Sequence, residues 1–297
     1  MAEEASARRW ITCTGLGCAG LILIVLVASA GFLGNAWLGV RSAEPVERRL
    51  LPSLPAVVDA APAGGAVGRV ELDLSGAEVH IHASAPGESL RVEAKFDEKL
   101  YELNETFDGE RAPWIYQLSL SGDVEPLKRL LRGIVGGEGA RIDLFLPVDA
   151  PLELSAKGEQ SAFTIDLARM WLTSAEFDFA QGGVFIEASE LMAQPIESLS
   201  LQGSMGAFRL VQMGNASPRR LLVDTKMSGL HVDLLGEWQN DSNITLRSNQ
   251  GGAQLKLAPN VTVVGINTGE IASPHEGELS RPTLTFTVAA DEIELVE

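Results

Sequence analysis

The feature that most restricts this chain is a period. Short runs alternating apolar with polar residues begin at Phe163, Val184, Phe208, Leu230 and Ala253, at steps of 21, 24, 22 and 23 residues. Each carries a further apolar residue two positions on: Ile165, Ile186, Leu210, Val232 and Leu255. A second set begins at Leu152, Phe177, Leu199, Leu221 and Ile244, at steps of 25, 22, 22 and 23, and runs on through Leu154, Phe179, Leu201, Val223 and Leu246. Alternation at period two marks strands with one buried face. A glycine or a Gly-containing turn stands just before each member of the first set, at Gly158, Gly182, Gly206, Gly229 and Gly252.

Two interleaved strand sets at one spacing predict an all-β chain, a β-solenoid (parallel β-helix-like) with rungs of about 22 residues. One such unit cannot bury its apolar stripe alone. Stacked units bury the stripes in a continuous core and pair each strand with its counterpart in the next unit. The glycines then fall at corners, where φ > 0 or close backbone approach is required. The competing arrangement is an antiparallel sandwich, whose strands recur every 8 to 12 residues or so and pair as hairpins. The near-constant spacing favours the solenoid, and "TLTFTVA" with "EIELVE" reads as its terminal cap. At the other end, Val70, Leu72 and Leu74, then Val79, Ile81 and Ala83, flank "SGAE" and read as two strands about a tight turn. Leu90, Val92 and Ala94 follow as a third.

Ahead of this domain the text is different. Residues 11–40 hold no charge, and "LILIVLV" is their apolar centre. A helix needs about 20 such residues to cross a bilayer core of roughly 30 Å. Trp10 and Trp37 flank the run as membrane-interface residues. The alternative is a cleaved signal peptide, with Arg8 and Arg9 as its basic region and Ala28, Ser29 and Ala30 as its cleavage site. Apolar residues continue past that site through Phe32 and Leu33, which favours a retained anchor. Arg8 and Arg9 face Arg41, Arg48 and Arg49 across the run, so flanking charge leaves orientation level. Ten residues make a poor external domain, so residues 1–10 are assigned as a short cytoplasmic tail and the large part lies outside the cytoplasm. Residues 41–68 are rich in Pro, Ala and Gly and read as a flexible linker, with the β-domain over 69–297.

Net charge is −17, and the first ten residues sum to zero. So acidic a surface repels phosphate backbones, which excludes nucleic acid as a partner. The two cysteines, Cys13 and Cys18, lie in the apolar run, which leaves the β-domain without a disulfide, a thiolate metal site or a cysteine nucleophile. No cofactor-binding motif is present.

The segments "RVELDLSGAEVHIHAS", "ARIDLFLPVDAPLEL" and "GGAQLKLAPNVTVV" resemble the bacterial adhesin and LiaF-like toast-rack domain family. The likeness covers roughly residues 66 to 270. It implies a β-solenoid joined to a membrane span, with an envelope-facing binding or stress-sensing role and no catalytic residues to carry over. A single N-terminal span departs from the multi-span layout of LiaF-like chains.

Several side chains invite chemistry. His80 and His82 stand on one face of a strand, a spacing compatible with a metal, and Glu78 shares that face as a possible third ligand. The simpler reading is a solvated face opposite Val79, Ile81 and Ala83. Ser228, His231 and Asp233 look triad-like, yet no nucleophile elbow or oxyanion motif is near. Asp166, Glu187, Asp233 and Lys256 fall at similar rung positions, with nothing to mark two carboxylates as an acid and base pair. In "EPLKRLLRGIVGG", residues 125–137, Leu127, Leu130, Leu131 and Ile134 recur at helical spacing opposite Lys128, Arg129 and Arg132. This amphipathic segment reads as a capping insertion.

The sequence thus points to a membrane-anchored, extracytoplasmic, non-catalytic binding or scaffold module of the cell envelope. Its partners would be the membrane, through the N-terminal helix, and an envelope protein or polysaccharide. A regulatory role in envelope-stress signalling and a polysaccharide-active enzyme are the alternatives.

Overall fold

The computed structural model describes residues 45–52, 68–109, 113–122, 139–265 and 281–296. The expected tail and span, Trp10 and Trp37, most of the linker and the amphipathic segment 125–137 lie outside these residues. Among the described residues no helix is long and apolar enough to cross a membrane. Their regular structure is all-β apart from one 3-10 turn, Met213–Asn215.

The two predicted strand sets are the two arms of single long strands. Leu152 and Phe163 both lie in β8 (Leu152–Asp166), Phe177 and Val184 in β9 (Leu172–Glu187), and Leu199 and Phe208 in β10 (Ser198–Val211). The next unit is split into β11 (Arg220–Lys226) and β12 (Ser228–Asp233), and the following one is whole again as β13 (Ser242–Lys256). Each unit pairs with the next in parallel. Phe163 lies opposite Val184, Val184 opposite Phe208, Phe208 opposite Leu230, and Leu230 opposite Ala253. In the other arm Leu154, Ala175, Leu199, Leu221 and Ile244 follow one another in the same way, whereas the expected members Leu152 and Phe177 fall outside this row, Leu152 lying opposite Leu172 and Phe177 opposite Ala156 and Leu201. All ten side chains of the two rows are buried. The hairpin pairing of a sandwich is therefore not what joins these units.

The connections between units are part of the structure. Segments 167–171, 188–197, 212–219 and 234–241 turn apolar residues inward, among them Met170, Met192, Ile196, Met213 and Trp238. Their backbones also bond from one unit to the next: Ala188 N–H donates to Val211 O at 3.1 Å, and Gly214 N–H to Leu235 O at 2.9 Å. Buried loop backbone is tolerated because its polar groups find partners in the neighbouring unit.

The corners explain only some of the glycines. Gly182 and Gly206 take φ of 138° and 148°, and the backbone of the preceding unit sits against both. A Cβ on Gly206 would run into the carbonyl of Gly182, and one on Gly182 into the carbonyl of Ser161. In the other units Gln160, Met227 and Gln250 take the left-handed corner conformation. Gly229 and Gly252 lie just beyond the corner with open space around them, so no corner constraint holds them.

Three further expectations need correction. β2 (Gly68–Ser75) and β3 (Ala77–Ala83) do not pair with each other as a hairpin. They are successive arms of one unit, and each lies parallel to one arm of β8. The turn at Gly76 bends the chain without reversing it, because both arms find a longer apolar partner in β8. Beyond them lie β6 (Trp114–Ser121) beside β2 and β7 (Ala140–Leu146) beside β3, again parallel. Second, the linker holds a strand. β1 (Val46–Leu50) pairs antiparallel with β4 (Arg91–Phe96), which itself pairs antiparallel with β7. Charged side chains fix it, Arg48 pairing with Glu98 and Arg49 with Glu93. Third, "TLTFTVA" and "EIELVE" fall in one strand, β15 (Thr283–Val296), which continues the parallel ladder from β13.

The two kinds of glycine should respond oppositely to one methyl group. Gly206→Ala is expected to cost more than about 3 kcal/mol, since left-handed strain adds to a backbone collision. Gly229→Ala should stay within about 1 kcal/mol, because its register partner is already Ala207. Urea denaturation of both full-length variants measures this, and equal losses would refute the corner assignment.

Candidate functional site

β3 and β7 are neighbouring parallel strands, and their outward side chains meet in pairs. Glu78 lies opposite Arg141, His80 opposite Asp143, and His82 opposite Phe145. β4 continues the face on the far side, with Glu93 opposite Asp143 and Arg91 opposite Phe145. The inward residues Val79, Ile81, Ile142 and Leu144 are fully buried and hold both strands rigidly to the core. Alternation and register thus deliver two imidazoles and a carboxylate to one patch from strands whose paired residues are 63 positions apart in sequence.

His80 and His82 stack with ring centroids 6.0 Å apart and planes 10° from parallel. His82 leans on Phe145 at 5.7 Å, and the Arg91 guanidinium covers that ring at 4.0 Å. His80 Nε2 lies 2.9 Å from Glu78 Oε1. Arg141 grips Asp143 with two parallel bonds, Nε–H to Oδ2 and Nη2–H to Oδ1, each 2.9 Å. That hydrogen-bonded grip holds the Asp143 carboxyl below its ordinary pKa, against the opposing effect of partial burial, and the charges of Arg141, His80 and His82 add to the lowering. One ligand-type atom from each of His80, His82 and Asp143 lies within 4.8 Å of the other two. All three residues are half-buried.

The structure therefore brings His80 and His82 together and supplies a third group, but a different one from that expected. Glu78 serves as the hydrogen-bond partner of His80, and Asp143 completes the set. "ARID" carries Asp143 on the polar phase of an alternating strand, so its outward direction is readable. Its neighbour is not, since β7 comes to lie beside β3 only after β6 has crossed to β2. The face is also not simply solvated, as the ring stacking and the buried flank of Arg91 make clear.

The other constellations come apart. Ser228 shares the inward phase of Leu230 and is buried, whereas His231 and Asp233 lie on the outward phase. Asp233 accepts a bond from the Leu235 N–H at 2.8 Å and Asp166 from the Ala168 N–H at 3.0 Å, so both carboxylates cap turns. Asp166 also takes the Ser189 hydroxyl at 2.8 Å. The supposed ladder is broken at Val211, which lies opposite Glu187.

A row missed in the sequence runs along the same outer face. Thr164, Phe185, Arg209, His231, Gln254 and Glu294 are consecutive register partners. Arg209 stands over Phe185 at 5.7 Å, and Gln254 Nε2–H donates to Glu294 Oε2 at 3.0 Å. Beside this row lies a shallow trough floored by Ala207, Gly229 and Gly252 and edged by Met227. The repeat period itself carries the signal, because Phe185, Arg209, His231 and Gln254 each follow a core position of the first strand set.

No family model and no curated protein matches the chain. Among solved structures it is similar to a "putative cell adhesion protein" from Clostridium sporogenes, at 12% identity and a TM-score of 0.34, over 85% of this chain and 99% of that one. It is also similar to a "putative adhesin" from Bacteroides fragilis, at 11% identity and a TM-score of 0.39, over 86% and 98%. A "putative lipid binding protein" from Parabacteroides distasonis stands at 9% identity and a TM-score of 0.26, over 86% and 98%.

The Arg141 grip makes a prediction for Asp143. A depressed carboxyl pKa stabilises the fold at pH above the ordinary value of about 4 and loses that contribution as pH falls through the folded value. Arg141→Gln should move the Asp143 titration upward, toward the ordinary range, in carboxyl-detected NMR. The acid limb of the stability curve should flatten with it. An unmoved Asp143 titration would show that Arg141 does not set it.

Proposed function

We propose that the described residues form a β-solenoid with rungs of about 22 residues. We further propose that this solenoid is a non-catalytic, adhesin-like binding or scaffold module of a bacterial cell envelope, held at the membrane by residues 11–40. The observation that carries the reading is the outer row Thr164, Phe185, Arg209, His231, Gln254 and Glu294, in which one hydroxyl, one aromatic, two basic or titratable, one amide and one acidic side chain succeed each other at strand spacing. Adjacent strands lie about 4.8 Å apart, so the row is a flat ruler of mixed chemistry some 25 Å long. Flat, rigid and polar-aromatic surfaces of this kind suit an extended partner such as a polysaccharide or an envelope protein segment. The use of Asp166 and Asp233 as turn caps favours binding over hydrolysis.

The anchor supports the location. An uncharged run of thirty residues suits a membrane span, and residues 41–45 join it directly to β1. The acidic charge of the rest favours partners that are neutral or cationic.

Fractionation and surface digestion test this reading. The full chain should sediment with membranes after a high-salt wash, and protease added to intact spheroplasts should digest its C-terminal part. Arg209→Glu with Phe185→Ser should then reduce capture of envelope material by the purified full chain at least about tenfold, as loss of a central aromatic and arginine anchor does elsewhere. A chain found in the soluble cytosolic fraction, or capture unchanged by the double substitution, would defeat the proposal.

A further inference from the structure

We propose that His80, His82 and Asp143 form a binding site for one divalent transition-metal ion of the zinc type, with Glu78 supporting His80 and Arg141 competing for Asp143. The proposal stands on the geometry of this face and is independent of where in the cell the protein resides. Three ligand atoms converge within 4.8 Å. An ion bonded at about 2.0–2.2 Å to tetrahedrally disposed ligands holds their atoms about 3.4 Å apart. Closing the gap needs movements of about an ångström, which half-buried side chains standing on rigid strands can make. The backbone need not move, because His80 and Asp143 are register partners and His82 is the next outward residue.

The donor set selects the ion. Two imidazole nitrogens are poor ligands for calcium and magnesium, which prefer oxygen. Two nitrogens and one carboxylate oxygen suit zinc, nickel, cobalt and copper(II), with a fourth position left for water or a partner's group. With Nε2 of His80 held by Glu78, the ion would take Nδ1, the arrangement that ligating histidines ordinarily have. A ring N–H given to Glu78 leaves the other ring nitrogen with the lone pair a metal needs. Glu93, opposite Asp143, is paired with Arg91 at 3.3 Å and Arg49 at 3.7 Å and so adds little negative potential to the patch.

Arg141 is the opposing element. Its two bonds occupy one lone pair on each oxygen of Asp143, and its charge repels a cation. Metal entry therefore requires Asp143 to share an oxygen or to turn away from Arg141, and Arg141 can then swing to Glu78, its register partner. The sign of the Arg141 effect separates this proposal from a purely structural cluster. If the patch exists to stabilise the fold, losing Arg141 loosens it. If it is a metal site, losing Arg141 frees a ligand.

The test is calorimetric titration of zinc chloride into the full chain in detergent, with Cys13→Ser and Cys18→Ser to remove the two thiols. One ion per chain is expected. His80→Gln, His82→Gln and Asp143→Asn should each weaken binding by more than about tenfold, and Glu78→Gln by about tenfold. Arg141→Gln should tighten it severalfold, and His231→Gln should leave it unchanged. A second measurement needs no variant of the site: the ring signals of His80 and His82 in NMR should shift as zinc is added while those of His231 stay in place. The proposal is overturned if the thiol-free chain binds no zinc, if the His80→Gln and His82→Gln pair leaves affinity unchanged, if Arg141→Gln weakens binding, or if zinc moves His231 instead.

Discussion

Everything in this molecule depends on parallel strands pairing without slippage. A shift of one residue between two units would turn the whole apolar set of one strand toward water. Phe208 over Val184 and under Leu230 is thus both a packing contact and a register mark. The same constraint sets the period. In a parallel ladder equivalent residues lie side by side, so a unit that gains or loses residues must absorb them away from the strands. Most of the difference is taken up in connections of unequal length such as 167–171 and 188–197, and the remaining register shifts fall at the start of β8, between Leu152 and Glu153, and at two corners, between Gly158 and Ser161 and between Ser248 and Gly252.

Register also decides what the outer face can be. Inward positions must be apolar in every unit, but outward positions are free, and the ladder converts that freedom into rows. The His80 and Asp143 pair and the Phe185, Arg209 and His231 row are one continuous row, because His80 lies opposite Thr164. The row does not depend on loops, and its side chains are aimed by buried neighbours in sequence: Ile81 between His80 and His82, Leu230 and Val232 about His231. Sites on strands hold their geometry better than sites on loops.

Much of the core was legible because alternation and period are both local signals. Leu199, Leu201, Phe208 and Leu210 could be placed inward, and matched to Leu221, Val223, Leu230 and Val232, without any knowledge of the connections. What could not be read was decided by topology. "SGAE" has the composition of a reversing turn, and only the presence of β8 beside both arms makes β2 and β3 continue in one direction. β1 was hidden for a similar reason. "VERRL" is too short and too charged to announce a strand, and it becomes one because β4 offers a free edge and Glu93 and Glu98 offer partners. Among the functional residues, the two histidines were visible as a local pair, whereas Asp143 became a neighbour of His80 only through the order in which β6 and β7 join the sheet. The glycines mislead in a third way: composition does not distinguish Gly206, which must lack a side chain, from Gly229, which has room for one.

A parallel ladder must also end, and its last strands expose unpaired donors and acceptors that invite another chain. The two ends meet this differently. At the N-terminal end the direction reverses, with β4 and β1 lying antiparallel beyond β7 and β5 (Glu102–Asp108) antiparallel beyond β6. The outermost strands are charged and largely exposed: β5 carries Glu102, Glu105 and Asp108, and β1 carries Glu47, Arg48 and Arg49. An approaching strand edge would have to desolvate those groups, and an approaching copy of β5 would meet its own negative charge. At the other end the three-residue strand β14 (Thr262–Val264) lies against only the start of β15. Among the described residues the pairing there is shorter, and the part of β15 beyond β14 carries Asp291, Glu292 and Glu294 in its sequence, so acidic charge is placed at both ends of the ladder.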